Sequence, residues 1–134
     1  AHGCNCKGIM GRGVAVRFKQ EYPEMFKEYR RLCFTHPREF NPGDCFFWHE
    51  PSKPAVFNLA TQEGVSTGER ATYLAIDYSL GLMKTLAITN KIKSIAMVQV
   101  GCGLGGLQWI KVGPLIERAF ADWEGVLYVY VSKS

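Results

Sequence analysis

Apolar positions recur at helical spacing in several stretches of the chain. From Gly13 onward, Val14, Val16 and Phe18 open a helical piece that breaks near Pro23. Residues 24–33 continue as a second piece carrying Met25, Phe26, Tyr29 and Leu32, and Pro23 suits its first turn. Residues 70–89 place Tyr73, Leu74, Ile76, Leu80, Met83 and Leu86 at the same spacing. A last helix is expected over 114–122, with Val112 just ahead of it. Short apolar runs separate these pieces. Residues 44–49 (DCFFWH), 55–60 (AVFNLA), 94–100 (SIAMVQV) and 126–131 (VLYVYV) read as strands. The 94–100 run is uninterrupted, the pattern of a strand buried on both faces. Residues 3–13, 34–43 and 62–69 read as loops, with a turn at 51–54. Strands alternating with helices predict an α/β fold, a mainly parallel sheet with helices on both faces. No repeat or linker divides the chain, so residues 1–134 are expected to form one domain.

Composition narrows the function classes. Hydrophobic residues make up 47% and charged residues 21% of the 134, which excludes a disordered chain. No apolar stretch is long enough to span a bilayer, so no membrane partner is expected. No secretory signal pattern is visible. The formal net charge is +4, and the basic residues are densest at the front, from Lys7 to Arg31. A local positive field suits an anionic ligand such as phosphate. No motif demands nucleic acid. Five cysteines without paired spacing argue against a disulfide scaffold and for a reducing, cytoplasmic setting. His2, Cys4 and Cys6 lie close together but lack a second ligand pair, so no metal is expected. No cofactor is expected either.

Two segments share one design. Gly8-x-x-Gly11-x-Gly13 leads into the first helix, and Gly101-x-Gly103-x-Gly105-Gly106 follows the third strand. Glycine lets backbone amides approach a ligand closely, and a helix start adds oriented N–H groups. Together they suit a phosphate or diphosphate, held beyond the carboxyl ends of the strands. Neither segment is a P-loop, since no Gly-Lys-Ser/Thr occurs.

The run from His2 to Ala15 (HGCNCKGIMGRGVA), the run from Asn58 to Gln62 (NLATQ) and the run from Gly101 to Trp109 (GCGLGGLQW) resemble a macrodomain. The likeness is to the ADP-ribose-1″-phosphate phosphatases and the related ADP-ribosyl hydrolases. It implies a three-layer α/β/α sandwich with a mixed, mostly parallel sheet and an ADP-ribose cleft. It also implies N-terminal strands that are missing from this chain, so the natural protein is expected to begin before Ala1. By this resemblance Asn5, Gly11, Arg12, Gly13 and Val14 contact the distal ribose. Gly101, Cys102, Gly103, Leu104, Gly105 and Gly106 wrap the diphosphate, and Thr61 and Gln62 line the cleft.

The resemblance has departures. The neighbouring ADP-ribosyl hydrolases carry a lysine where Gln62 stands and an acid where Gly105 stands, so a lysine-linked sugar intermediate is not expected here. Direct attack by water remains. His2 matches a histidine that the phosphatase branch carries at the start of this motif, so the resemblance implies it as the proton-transfer group, and Asn5 is expected to orient the ribose or the water. The expected substrate is ADP-ribose-1″-phosphate or a related ADP-ribose ester. The alternative is a reader that binds ADP-ribose, an ADP-ribosylated protein or an ADP-ribosylated nucleic acid without turning it over.

Overall fold

The structure, a computed structural model, describes residues 1–131. Five strands are seen: β1 (His2–Cys4), β2 (Cys45–Trp48), β3 (Val56–Ala60), β4 (Ser94–Val98) and β5 (Val126–Tyr130). Four α-helices accompany them: α1 (Val14–Glu21), α2 (Pro23–Phe34), α3 (Tyr73–Thr89) and α4 (Trp109–Phe120). β1 pairs with β3 in parallel, and β2 pairs with β3 antiparallel. β4 pairs with β5 in parallel. The Ala1 nitrogen donates to the Ala96 carbonyl at 2.8 Å, which ties the β1 side to β4. The architecture is therefore mixed and mostly parallel, as the helix–strand alternation predicts.

β3 shows why helices cover both faces. All five of its residues are buried, and successive side chains of a strand point to opposite faces. Phe57 and Leu59 join a core with Ile76, Leu80 and Met83 of α3, Ile95 and Met97 of β4, and Val112 and Ile116 of α4. Val56 and Ala60 face the other way. Val56 packs with Tyr22 and Met25, and Ala60 packs with Cys4, Tyr29, Cys33 and Phe40.

Three expectations need correction. Residues 2–4 form a strand rather than part of a loop. The run at 94–100 is not buried on both faces: Ile95 and Met97 are buried, while Ser94 and Ala96 are exposed. Ile95 and Met97 pack with α3 and α4, while Ser94 and Ala96 point the other way. The last helix begins at Trp109, with Pro114 inside it. Proline in a helix interior costs about 3 kcal/mol. Val112, Ile116 and Phe120 are all buried at four-residue spacing, and each such burial is worth about 1.5–3 kcal/mol. The apolar stripe outweighs the proline.

His2 belongs to this framework. Its side chain is fully buried and stacks on Phe18 of α1 with ring centroids 4.0 Å apart. Nε2–H donates to Asn58 Oδ1 at 2.6 Å. Asn58 in turn donates to the Phe46 carbonyl at 3.1 Å. Burial lowers the His2 pKa from 6.5 to about 4, so the folded protein holds a neutral ring. The unfolded chain gains a proton as pH falls past 6.5, but the folded chain resists until about 4. Stability is therefore full above this window and is lost on the way down through it, by about 3 kcal/mol in total. Denaturant unfolding followed across the window should show this fall, and His2→Gln should flatten it. An equally steep slope in the variant would show that another group causes the dependence.

Candidate functional site

A cleft of about 740 Å³ opens where the parallel strands end. Loop 5–13 leaves the end of β1, Thr61 and Gln62 follow β3, and loop 99–106 follows β4. Tyr130, the last residue of β5, reaches the same cleft. This is the edge where open α/β sheets hold ligands.

Each wall has a local cause. Asn5 is nearly buried, and its carboxamide is spent on shaping the first loop. Oδ1 accepts from the Lys7 amide at 2.9 Å and the Ile9 amide at 3.4 Å, and Nδ2 donates to the Ile9 carbonyl at 2.7 Å. The Tyr29 hydroxyl, fully buried on α2, lies 2.8 Å from the Asn5 carbonyl and 2.9 Å from its Oδ1. The first loop is thus held from beneath by a helix side chain. Gly13 caps α1 at φ 62° with no side-chain partner at the helix start, which leaves amide donors open toward the cleft.

The second loop folds tightly on itself. Leu107 N donates to the Gly101 carbonyl at 2.8 Å, and Gly106 N donates to the Gly103 carbonyl at 3.1 Å. Gly101 has φ 76°, and a Cβ there would meet Ile76 Cδ1 at 2.6 Å. A Cβ at Gly105 would meet the Gly101 carbonyl oxygen at 2.7 Å. Gly103 has open space where a Cβ would stand. A side chain at 105 is excluded by backbone, whereas one at 103 would project from the loop unopposed.

The structure brings together Asn5, Gly11, Arg12, Gly13, Val14, Thr61, Gln62, Gly101, Cys102, Gly103, Leu104 and Gly105 as cleft lining. It does not bring Gly106 or His2 there. For His2 this is at odds with the expected proton-transfer role, because the buried imidazole lies against α1 and Asn58. Gln62 turns back on its own loop, with Nε2 donating to the Gly64 carbonyl at 2.6 Å. The Cys4 thiol points toward His2 and Asn58, and burial pushes its pKa up. Burial also raises the Cys102 pKa, and its thiol donates to the Val100 carbonyl at 3.4 Å. Both thiols are protonated packing groups rather than nucleophiles.

Lining residues the sequence reading did not select include Ile9, Val65, Arg70, Gln99 and Tyr130. Arg70 precedes α3 and donates to the Leu104 carbonyl at 3.1 Å, which spans from one wall to the other. Its position just after an acidic, glycine-bearing loop was the only available signal. Among the described residues the lining holds no aspartate, glutamate, histidine or lysine. The acids nearest in sequence are engaged elsewhere. Glu63 is gripped by Arg38 at 2.5 and 2.8 Å, and this contact lowers its pKa. Lys7 approaches Glu63 at 3.7 Å and Glu69 at 3.6 Å.

Tyr29→Phe should test the support beneath the first loop. Removing the hydroxyl leaves Asn5 short of a donor, at a cost of about 1–2 kcal/mol in stability. The Lys7 and Ile9 amides should then exchange faster with solvent. Unchanged protection at both would show that the hydroxyl does not hold the loop.

The comparisons with known proteins agree with this geometry. The Macro domain family model matches residues 1–116. A DNA ADP-ribosyl glycohydrolase of Mycobacterium tuberculosis is 30% identical over 132 residues, covering 92% of this chain and 36% of that protein. An ADP-ribose 1″-phosphate phosphatase of Meyerozyma guilliermondii is 47% identical over 36 residues, covering 27% of this chain and 21% of that protein. The chain spans about a third of the length of the DNA ADP-ribosyl glycohydrolase relatives it matches, 35–36% in each. Among solved structures, the macrodomain of Mycobacterium tuberculosis DarG superposes with TM-score 0.88 at 27% identity, covering 98% of this chain and 86% of that one. Thermosipho africanus DarTG in complex with ADP-ribose gives TM-score 0.86 at 25% identity, covering 97% of this chain and 36% of that one. Matched sequence, superposed fold and a cleft at the strand ends lead to one assignment: this chain belongs to the Macro domain family.

Proposed function

We propose that the cleft binds ADP-ribose and that the chain hydrolyses ADP-ribose-1″-phosphate by direct attack of water on phosphorus. One observation carries the choice of bond: among the described residues the lining offers backbone amides and two guanidinium groups but no carboxylate, imidazole or ammonium. Glycosidic hydrolysis usually needs a carboxylate pair or an activated nucleophile. Phosphoryl transfer asks mainly for positioning and charge stabilisation, which N–H groups and arginines supply. The phosphatase relative, though matched over a short segment, favours the same bond. The ADP-ribose complex of a structural neighbour favours the ligand.

In this reading the second loop and the start of α1 cradle the diphosphate and distal ribose. Water attacks phosphorus, the bond to the 1″ oxygen breaks, and inorganic phosphate leaves ADP-ribose behind. The monoester's own proton, partly retained near its second pKa of about 6, passes to the leaving oxygen. His2 takes no proton and acts as a spacer between β1 and α1. Asn5 shapes the loop rather than handling water. The whole chain, residues 1–134, acts as one macrodomain, and its five free thiols suit the reducing cytoplasm.

The reading without turnover is a module that holds ADP-ribose on a protein or a nucleic acid. The same lack of an acid–base side chain in the lining favours it.

Two measurements decide. Phosphate release from ADP-ribose-1″-phosphate by the purified chain is expected; tight binding without release would establish the reader instead. Gly103→Val should weaken ADP-ribose binding about tenfold or more, as overpacking by about 1–3 kcal/mol implies. Its melting temperature should stay near that of the parent, because a side chain at 103 meets nothing within 4 Å. Equal affinity by calorimetry would remove this loop from the site.

A further inference from the structure

We infer that Arg12 and Arg70 form a guanidinium pair that selects the ligand by phosphate charge, favouring one that bears a phosphate monoester in addition to a diphosphate. The inference rests on the reading of this cleft as an ADP-ribose site.

Both arginines line the cleft from different walls. Arg12 makes no hydrogen bond or ion pair with any of the described residues. Arg70 gives one N–H to the Leu104 carbonyl at 3.1 Å and meets no carboxylate. Most other arginines are occupied. Arg31 pairs with Glu28, Arg38 with Glu63 and Arg118 with Asp77, and Arg30 lies over the Phe34 ring. Glu69, the sequence neighbour of Arg70, faces Lys7 instead. The concave surface therefore keeps two positive charges with no acid among the described residues to cancel them, and concavity focuses their field.

Backbone amides and guanidinium groups discriminate differently. The N–H groups of the two loops can hold a diphosphate, but they are neutral and add no net charge. A guanidinium is always charged, and its fork of donors matches phosphate oxygens. Affinity gained from the pair must therefore rise with the number of phosphate charges on the ligand. Arg12 lies on the loop after β1 and keeps its whole fork of donors free for a ligand. Arg70 already spends one donor on the Leu104 carbonyl of the loop after β4. Arg12 is thus expected to read the added phosphate more selectively than Arg70.

The test compares ADP-ribose and ADP-ribose-1″-phosphate on the same purified chain. Affinity is read by calorimetry for the first and as KM, or Kd without turnover, for the second. The parent should prefer the monoester, and added salt should narrow the preference. Arg12→Gln should cut the preference about tenfold, the scale of one hydrogen bond to a charged group. Arg70→Gln should weaken both ligands, and Arg12→Lys should restore most of the preference. Arg17→Gln, at an exposed basic residue outside the lining, serves as the control for a general field. A preference untouched by Arg12→Gln, or lowered equally by Arg17→Gln, would overturn the inference. A parent that binds ADP-ribose without preference would overturn it too, leaving the ADP-ribose reading intact. A parent that binds neither ligand would sink that reading itself.

Discussion

The parallel pairing of β1 with β3 governs the geometry of the cleft. Three register positions, His2 with Asn58, Gly3 with Leu59 and Cys4 with Ala60, fix where both chains leave the sheet. Immediately beyond, the Thr61 amide donates to the Cys4 carbonyl at 3.1 Å and the Cys6 amide to the Glu63 carbonyl at 3.1 Å. Loop 5–13 and residues 61–64 therefore depart together as two laced walls. Gly3 is part of this fit, since a Cβ there would meet Thr61 Oγ1 at 3.0 Å. A slip of one residue would turn every side chain of β1 over. It would expel His2 from its place against Phe18 and turn it to the opposite face of the sheet.

That parity explains what the sequence could and could not reveal. The two glycine loops were legible because spacing alone marks a backbone that must bend and approach a ligand, and both line the cleft. The place of His2 depends on which face of β1 it occupies. Three residues including a glycine do not read as a strand, so no face could be assigned. The expected proton-transfer role came from the resemblance, whereas alternation along β1 sets the ring against Phe18 of α1. Asn5 illustrates the opposite case. Its place in the loop was legible, but its use as an internal fastener depends on Tyr29, which arrives from another helix.

Helix boundaries failed for a different reason. Pro114 suggests a start, because proline is welcome in a first turn and costly later. The buried positions at 112, 116 and 120 carry the helix back past it. Arg70 and Tyr130 were invisible for a third reason: each ends or precedes an element, and only the closing of the sheet brings them to one place. Local pattern thus specifies elements and loops, while long-range pairing specifies which side chains meet.

The crowding at Gly105 bears on how such a cleft could change its chemistry over time. The backbone of the loop passes so near itself that no side chain can be added there unless Gly101 moves away. A carboxylate at that point cannot be acquired by a single codon change in an otherwise unaltered loop. On the phosphatase reading proposed above, gaining an acid at this point would need the turn to be reshaped first. Backbone shape, as well as the identity of one residue, then limits which chemistry this turn can host.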